Sequence, residues 1–202
     1  MTGNREQAPL GHYTALYREL DPQETAARTG AAFHGGQFSL KVLNRKLIAD
    51  WPEFALSSDA DCPQALLGAY AKILVLRYLL NGQEIAARGQ FLSYRELPCG
   101  GVYDRNFQGR CVIRLARAFG DRLDAFRRAA ASLGGAPGTL GDASYDMPFL
   151  EHITVRLILW EGDEEFPASA QLLFSDNTSF AFDAEDLAAV GELMIGALKE
   201  VS

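Results

Sequence analysis

The stretch Ile153-Thr154-Val155-Arg156-Leu157-Ile158-Leu159-Trp160 decides the fold, because apolar side chains alternate along it. Every second residue from Ile153 to Leu159 is apolar, and this two-residue period is typical of a β-strand. Ile158 and Trp160 make the opposite side of the strand largely apolar as well. The pattern therefore predicts a strand that is covered on both faces near Trp160.

Segments on both sides of this strand predict the rest of the fold. Two more strands, over residues 168–175 and 179–182, are separated by a turn at Asp176-Asn177. The region between Phe33 and Trp51 also has a period of two, and it predicts a hairpin that turns at Asn44-Arg45. Helices are predicted over residues 12–20, 21–30, 63–80, 105–119 and 122–133, and a final one is capped by Asp183. The sequence thus predicts an α+β fold, an antiparallel sheet packed against several helices, as a single globular domain over residues 1–202.

Composition restricts the class of protein. The chain has 202 residues, 48% hydrophobic and 22% charged, so it is long enough to bury a core. Its net charge of −7 argues against nucleic acid and against an anionic membrane surface. Lys72 and Arg77 interrupt the most apolar helix, which we therefore expect at the centre of the domain and not across a membrane. A polar N-terminus without a signal peptide, and three cysteines without C-x-x-C spacing, favour a cytoplasmic location.

An acidic octet, Trp160-Glu161-Gly162-Asp163-Glu164-Glu165-Phe166-Pro167, follows the strongest strand. Crowded carboxylates repel one another, and a bound divalent cation such as Mg²⁺ or Ca²⁺ would relieve that repulsion. Glu161, Asp163 and Glu164 are therefore candidate metal ligands. The alternative is a solvated hairpin loop whose acids stay in water. We expect Trp160 and Phe166 to anchor the loop by burial.

A glycine segment, Arg95-Glu96-Leu97-Pro98-Cys99-Gly100-Gly101-Val102-Tyr103, is the second candidate site. Consecutive glycines ahead of a helix can offer backbone N–H groups to an anion. Downstream arginines at three- and four-residue spacing would share one helix face and could hold phosphates or carboxylates. Those arginines are Arg110, Arg114 and Arg117. The alternatives are a plain turn for the glycines and surface ion pairs for the arginines.

Isolated histidines and cysteines offer weaker candidates. His152 lies next to Glu151 at the start of the strongest strand, and it could join the acidic octet in a metal site only through the fold. Cys99 lies in the glycine segment and would be a reactive thiol if a helix N-terminus lowered its pKa. The sequence contains no P-loop, G-x-S-x-G, H-E-x-x-H or dinucleotide fingerprint.

The acidic octet, together with Tyr94-Arg95-Glu96-Leu97-Pro98 and Gly100-Gly101, resembles the uncharacterised domain-of-unknown-function family 3786. The resemblance extends from about Tyr13 to the C-terminus. It implies a setting in the anaerobic metabolism of bacteria and archaea, where some members carry an extra iron–sulfur module like that of corrinoid-linked proteins. It implies no catalytic residues. This chain has no cysteine cluster of its own, so an iron–sulfur centre would have to come from a partner.

These observations lead to three hypotheses. The first is a cytoplasmic binding or accessory domain for an anionic cofactor, a corrinoid or tetrapyrrole, or for an iron–sulfur or corrinoid protein. Its ligand-binding residues would be Tyr94, Arg95, Gly100, Gly101, Tyr103 and Trp160. The alternative is a metal-dependent hydrolase or transferase that uses the acidic octet and His152 around a divalent ion. The third is a purely structural interaction module.

Overall fold

The computed structural model of the chain describes residues 3–58 and 61–202. Its helices are α1 (Gly3–Arg18), α2 (Pro22–Thr29), α3 (Ala69–Asn81), α4 (Gly100–Phe107), α5 (Ile113–Phe119), α6 (Leu123–Ser132) and α7 (Ala184–Glu200). Its strands are β1 (Ala32–His34), β2 (Gln37–Val42), β3 (Arg45–Asp50), β4 (Leu56–Ser58), β5 (Phe91–Ser93), β6 (Ala136–Pro137), β7 (Ala143–Leu150), β8 (Ile153–Trp160) and β9 (Ser169–Ser175). Single 3-10 turns lie at Gln64–Leu66, Tyr94–Glu96 and Thr178–Phe180, and a π-helical turn spans Gln108–Val112.

The strands form two antiparallel sheets, which confirms the predicted α+β class. The N-terminal sheet has the order β1-β2-β3-β4, and the C-terminal sheet has the order β5-β9-β8-β7-β6. The strand predicted from residue 153 to 160 is the central strand β8. Leu157 pairs with Tyr145 of β7 and with Leu172 of β9. Ile158, on the other face of the sheet, is also buried, as predicted, whereas Trp160 on the same face is 38% exposed, which contradicts the prediction for the end of the strand.

The apolar helix α3 contributes buried side chains to the core, as predicted, but it begins at Ala69 and not at residue 63, because a 3-10 turn at Gln64–Leu66 precedes it. Side chains from β2, β3, α3, β7 and α7 surround one small interior space in this region. Arg28 of α2 fixes the C-terminal end of α3, because its guanidinium donates hydrogen bonds to the carbonyl oxygens of Leu79, at 2.7 Å, and of Gly82. A cation at this end of a helix also interacts favourably with the helix dipole.

The predicted N-caps are confirmed. Asp21 accepts hydrogen bonds from the backbone N–H groups of Gln23 and Glu24, at 2.8 and 3.1 Å, and Pro22 opens the helix. Asp183 accepts from the backbone N–H of Asp186 at 2.9 Å and starts α7. The 37–50 hairpin is also confirmed, but its turn lies at Leu43-Asn44, one residue earlier than predicted. Both turn residues have positive φ, at 46° and 59°.

The strand predicted over residues 179–182 is wrong. The chain forms a 3-10 turn at Thr178–Phe180 instead, because a hydrogen-bonded network of side chains turns it directly after β9. The hydroxyl of Ser175 donates to the side-chain oxygen of Asn177 at 2.6 Å and lies 3.2 Å from the hydroxyl of Thr178. Strand β7, which pairs with β8, was not predicted.

No helix within residues 3–58 and 61–202 combines the length and the apolar character that crossing a bilayer requires.

Candidate functional site

The glycine segment leads into a continuous but irregular helix. Helix α4 begins at Gly100, several residues before the predicted start, and Cys99 immediately before it has a φ of 61°. Between α4 and α5 the backbone forms the π-helical turn Gln108–Val112. Such turns are rare and frequently occur at functional sites. The turn contains Arg110 and Cys111, and it packs against α7 through a hydrogen bond from the Cys111 thiol to the Ala188 carbonyl oxygen at 3.3 Å.

A cavity of about 330 Å³ opens beside this turn. It is lined by Tyr94, Tyr103, Asn106, Arg110, Glu185 and Ala188. Elements that are distant in sequence supply these residues: the 3-10 turn after β5, helix α4, the π-helical turn and the first turns of α7. The structure thus brings together two of the predicted ligand-binding residues, Tyr94 and Tyr103, with one of the predicted arginines, Arg110.

Tyr94 forms a fixed wall of this cavity. Its ring stacks on Phe107, with ring centroids 4.0 Å apart and an angle of 2° between the planes. Its hydroxyl donates a hydrogen bond to the carbonyl oxygen of Ala184 at 2.6 Å. Burial raises the pKa of Tyr94 to about 12, so the phenol stays protonated. Tyr94 therefore joins the glycine segment to the start of α7, and its own hydrogen bond is already satisfied.

Arg110 supplies the positive charge at the cavity. It donates a hydrogen bond to the carboxylate of Glu192 at 2.7 Å, and Arg114 lies 3.9 Å from the same carboxylate. This hydrogen bond is the largest cause that raises the pKa of Arg110, which keeps the guanidinium charged. The side chain of Arg110 remains 37% exposed, and the residue lines the cavity. Arg117 is exposed on α5.

The two glycines have different surroundings. The backbone N–H of Gly100 donates to the Leu97 carbonyl oxygen at 2.9 Å, and that of Val102 donates to the Cys99 carbonyl oxygen at 3.1 Å. These two N–H groups are therefore used within the turn. A Cβ on Gly101 would contact nothing within 4 Å, so this residue faces open space. Arg95 is largely exposed and lies 3.9 Å from Asp104.

The acidic octet forms an exposed turn. The Asp163 carboxylate accepts hydrogen bonds from the backbone N–H groups of Phe166 and Glu165, at 2.7 and 2.8 Å. These two hydrogen bonds hold the pKa of Asp163 below its ordinary value. Glu161 is tied to a neighbouring turn, since its N–H donates to the Asp142 carboxylate at 2.8 Å. Trp160 and Phe166 do not anchor the loop by burial, because they are 38% and 67% exposed.

His152 lies far from the acidic octet. It precedes β8 and Glu161 follows it, so the two residues stand at opposite ends of an eight-residue strand, about 25 Å apart. His152 instead approaches Tyr78, whose hydroxyl oxygen is 3.5 Å from its Nε2 atom. Burial lowers the pKa of His152, and nearby Glu84 opposes that shift.

The four predicted metal ligands therefore do not converge on one point in this fold. Because of the length of β8, Glu161, Asp163 and Glu164 cannot share an ion with His152. Among residues 3–58 and 61–202, no three His, Cys, Asp or Glu side chains are placed to hold a metal ion together. The carboxylate best fixed in the octet, Asp163, is already occupied by backbone N–H groups.

Trp160 is also separated from the cavity. Its side chain projects on the opposite face of the C-terminal sheet from Val155, Leu157 and Leu159, because successive residues of a strand alternate. Tyr94 lies on the same side as those three, since it packs against Phe174, the partner of Val155. The side chains of Tyr94 and Trp160 thus lie on opposite faces of the C-terminal sheet, and no residue of the acidic octet lines the cavity.

Comparison with known protein families agrees with the resemblance carried by these two segments. The family model described as Domain of unknown function (DUF3786) matches residues 21–197, which is most of the chain. The chain belongs to the DUF3786 family. No curated protein and no solved structure matches it. The matched residues include both the cavity at the π-helical turn and the acidic octet.

Asn106, Glu185 and Glu192 were not predicted as site residues. Glu192 pairs with Arg110 across 82 positions of sequence, a separation at which no local pattern links two residues. The one available signal was the spacing of Glu185, Ala188 and Glu192, which places the three on one face of a helix. That face meets the π-helical turn.

Proposed function

We propose that this DUF3786 protein is a cytoplasmic binding or accessory domain without catalysis of its own, and that it holds an anionic group of its ligand in the cavity beside the π-helical turn. The observation that carries the proposal is the meeting of Arg110, Asn106 and Tyr103 at one cavity of about 330 Å³. A guanidinium recognises a carboxylate or phosphate by paired hydrogen bonds, and the amide and phenol add donors.

The size of the cavity limits what it can enclose. Ligand pockets commonly measure about 300–1,000 Å³, so this one suits a small molecule or one arm of a larger one. A corrinoid or tetrapyrrole would place an acidic side arm in the cavity and rest its ring system outside. Val102 and Tyr103, which are 80% and 44% exposed, supply apolar surface for such a ring. Because the ring system of such a cofactor would stay outside the cavity, the cofactor could be passed to, or taken from, an iron–sulfur or corrinoid protein.

Titration of the purified protein with haem and with cobalamin tests the proposal, with absorbance and calorimetry as readouts. Tyr103→Ala removes the outer wall, and Arg110→Gln removes the charge that would face an acidic arm. We expect each variant to weaken binding by about tenfold, the loss typical of one well-placed contact. Arg117→Gln is the matched control, since it removes an exposed arginine from the neighbouring helix α5.

Two results would count against this function. Binding of both cofactors that is unchanged in Tyr103→Ala and Arg110→Gln would move the site away from the cavity. A lack of any spectral or heat change with haem, cobalamin and a simple dicarboxylate would remove the anionic-ligand role altogether. Circular dichroism of each variant shows whether the fold is intact.

A further inference from the structure

A second surface of the molecule carries large apolar side chains in the open. Leu140, Trp160 and Phe166 are 45%, 38% and 67% exposed. Exposed apolar groups of this size are common singly, but a group of them surrounded by charge marks an interaction site. We call the surface formed by these three side chains and by the carboxylates of Asp142, Glu161, Asp163, Glu164 and Glu165 the acidic–aromatic surface.

Hydrogen bonds hold the two loops of this surface together. The N–H of Asp142 donates to the carbonyl oxygen of Leu159 at 2.9 Å, and the carboxylate of Asp142 accepts from the N–H of Glu161 at 2.8 Å. Leu140 is fixed two residues earlier, where its N–H donates to the hydroxyl of Ser144 at 3.0 Å. The turn before β7 and the loop after β8 therefore lie next to each other.

The aromatic part of the loop is held in place by backbone contacts. Asp163 donates its N–H to the Phe166 carbonyl oxygen at 2.9 Å and accepts the Phe166 N–H at 2.7 Å. Phe166 is therefore fixed through its backbone while most of its ring faces solvent. Covering a side chain on an ordered backbone costs less conformational entropy than ordering a mobile segment as well, which suits an interface anchor.

The carboxylates of this surface keep their charge unpaired. Within the part of the chain that the structure describes, none of them forms a salt bridge with a lysine or arginine. Five acidic side chains around an apolar group repel one another, and opposite charge brought by a partner would relieve that repulsion.

We propose that the acidic–aromatic surface docks a partner protein whose own surface places lysines and arginines around an apolar contact. Charge excludes nucleic acid and an anionic lipid surface as occupants, because both would be repelled. A second copy of this chain fits poorly, because a two-fold contact would place two acidic loops against each other. None of the residues of this surface lines the cavity beside the π-helical turn, so this proposal does not depend on ligand binding there.

Fluorescence anisotropy with a labelled peptide tests the docking surface. The probe carries lysines around a leucine–phenylalanine core, and a second probe has the same lysines with glycines in the core. We expect the first probe to bind and to weaken by about tenfold between about 50 and about 300 mM NaCl, since exposed charges are screened. The glycine probe should bind at least about fivefold more weakly, because Phe166 then gains no apolar contact.

Variants on the loop separate the apolar from the charged contribution. Phe166→Ser should weaken the first probe by about fivefold at every salt concentration. Glu164→Gln with Glu165→Gln should weaken it by about threefold at low salt and flatten the salt dependence. Asp163 is left unchanged because its carboxylate holds the turn. Phe180→Ser and Glu151→Gln are matched controls, an exposed aromatic and an exposed acid beyond the other end of β8 and β9.

Three results would overturn the proposal. Equal binding of the first probe by Phe166→Ser and by the unchanged protein would remove the apolar anchor. A dimer in analytical ultracentrifugation that Phe166→Ser abolishes would assign the surface to a second copy. Heat of CaCl₂ or MgCl₂ binding that is lost in the Glu164→Gln, Glu165→Gln variant would make the loop a cation site.

Discussion

The carbonyl oxygen of Tyr94 lies 1.8 Å from the position that a Cβ atom on Gly100 would occupy. The 3-10 turn that carries Tyr94 and the first residue of α4 are therefore in direct backbone contact. This contact sets the direction of α4, and through it the positions of Tyr103 and Asn106 at the cavity. The first glycine of the pair is required by packing, while Gly101 has open space around it.

Gly100→Ala should destabilise the protein by about 3 kcal/mol, because the added methyl group would overlap backbone atoms that cannot move independently. Gly101→Ala is the matched control. It should leave stability unchanged or raise it by up to about 1 kcal/mol, since alanine is the better helix former and meets no neighbour. Urea unfolding of both variants measures the difference. Equal stability of the two would show that the backbone contact with Tyr94 is absent in solution.

The elements that the sequence predicted correctly are those with a complete local pattern. Apolar residues alternate along the whole of β8 and recur in every turn of α3, and Asp21 and Asp183 lie at the sequence positions that N-caps occupy. β7 was missed because Asp146 and Pro148 interrupt its apolar residues. In the fold Asp146 is satisfied from the neighbouring strand, where Arg156 donates two hydrogen bonds to it at 2.6 and 2.8 Å. An ion pair between two neighbouring strands leaves no local pattern in the sequence.

The candidate site, like the fold, could be predicted from the sequence only where a local pattern exists. The glycine segment and Arg110 could be selected from residue type and spacing. The π-helical turn could not, because its hydrogen-bond register leaves no trace in the apolar pattern that α4 and α5 share. Nor could Glu185 and Glu192 be connected with Arg110, since only the packing of α7 brings them close. The sequence alone grouped Trp160 with the glycine segment and His152 with the acidic octet. The alternation of side chains along β8 separates Trp160 from the cavity, and the length of β8 separates His152 from the octet.

Tyr94→Phe should lower stability and leave ligand affinity unchanged. The substitution removes the hydroxyl that donates to Ala184, and loss of one buried hydrogen bond costs about 1 kcal/mol. In a protein of this size that corresponds to about 2–4 °C in the melting temperature. Tyr103→Phe is the matched control and should melt like the unchanged protein, because Tyr103 is partly exposed. A melting temperature unaffected by Tyr94→Phe would show that the hydrogen bond to Ala184 contributes nothing to stability.

Asp186 gives a pH-dependent prediction. Its side chain is 9% exposed, and its Oδ2 atom lies 3.1 Å from Nε of Arg77. Burial raises the pKa of Asp186 to about 7, and it outweighs the opposing effect of Arg77. The folded protein therefore holds a proton that the unfolded chain releases near its ordinary pKa of 3.8. The stabilising contribution of that proton is complete below this value and is lost as pH rises through about 7.

Asp186→Asn cannot ionise and should escape this loss. Its stability relative to the unchanged protein should therefore rise between about pH 4 and about pH 8, by about 4 kcal/mol at most. Urea unfolding across that range measures the change. Glu185→Gln, at the exposed neighbouring position, should show no comparable trend. A pH-independent difference for Asp186→Asn would mean that Asp186 stays ionised beside Arg77 throughout.

The three cysteines should react at very different rates with a thiol reagent such as Ellman's reagent at about pH 8. Cys99 is exposed and should react first, because the thiolate is the attacking species and reagent can reach it. Cys111 is fully buried, and burial raises the pKa of its thiol to about 12, so it should react only when the protein unfolds. Cys62, which is partly buried, should fall between them.

Cys99→Ser identifies the fast phase, which it should abolish while the two slower phases remain. The slowest phase should follow the unfolding rate and quicken with urea, since Cys111 packs against the Ala188 carbonyl oxygen of α7. If Cys111 instead reacted rapidly in the native protein, the π-helical turn would have to open away from α7 without global unfolding. That opening would widen the cavity of which Arg110 and Ala188 form part, and would make the turn a moving element of the binding site.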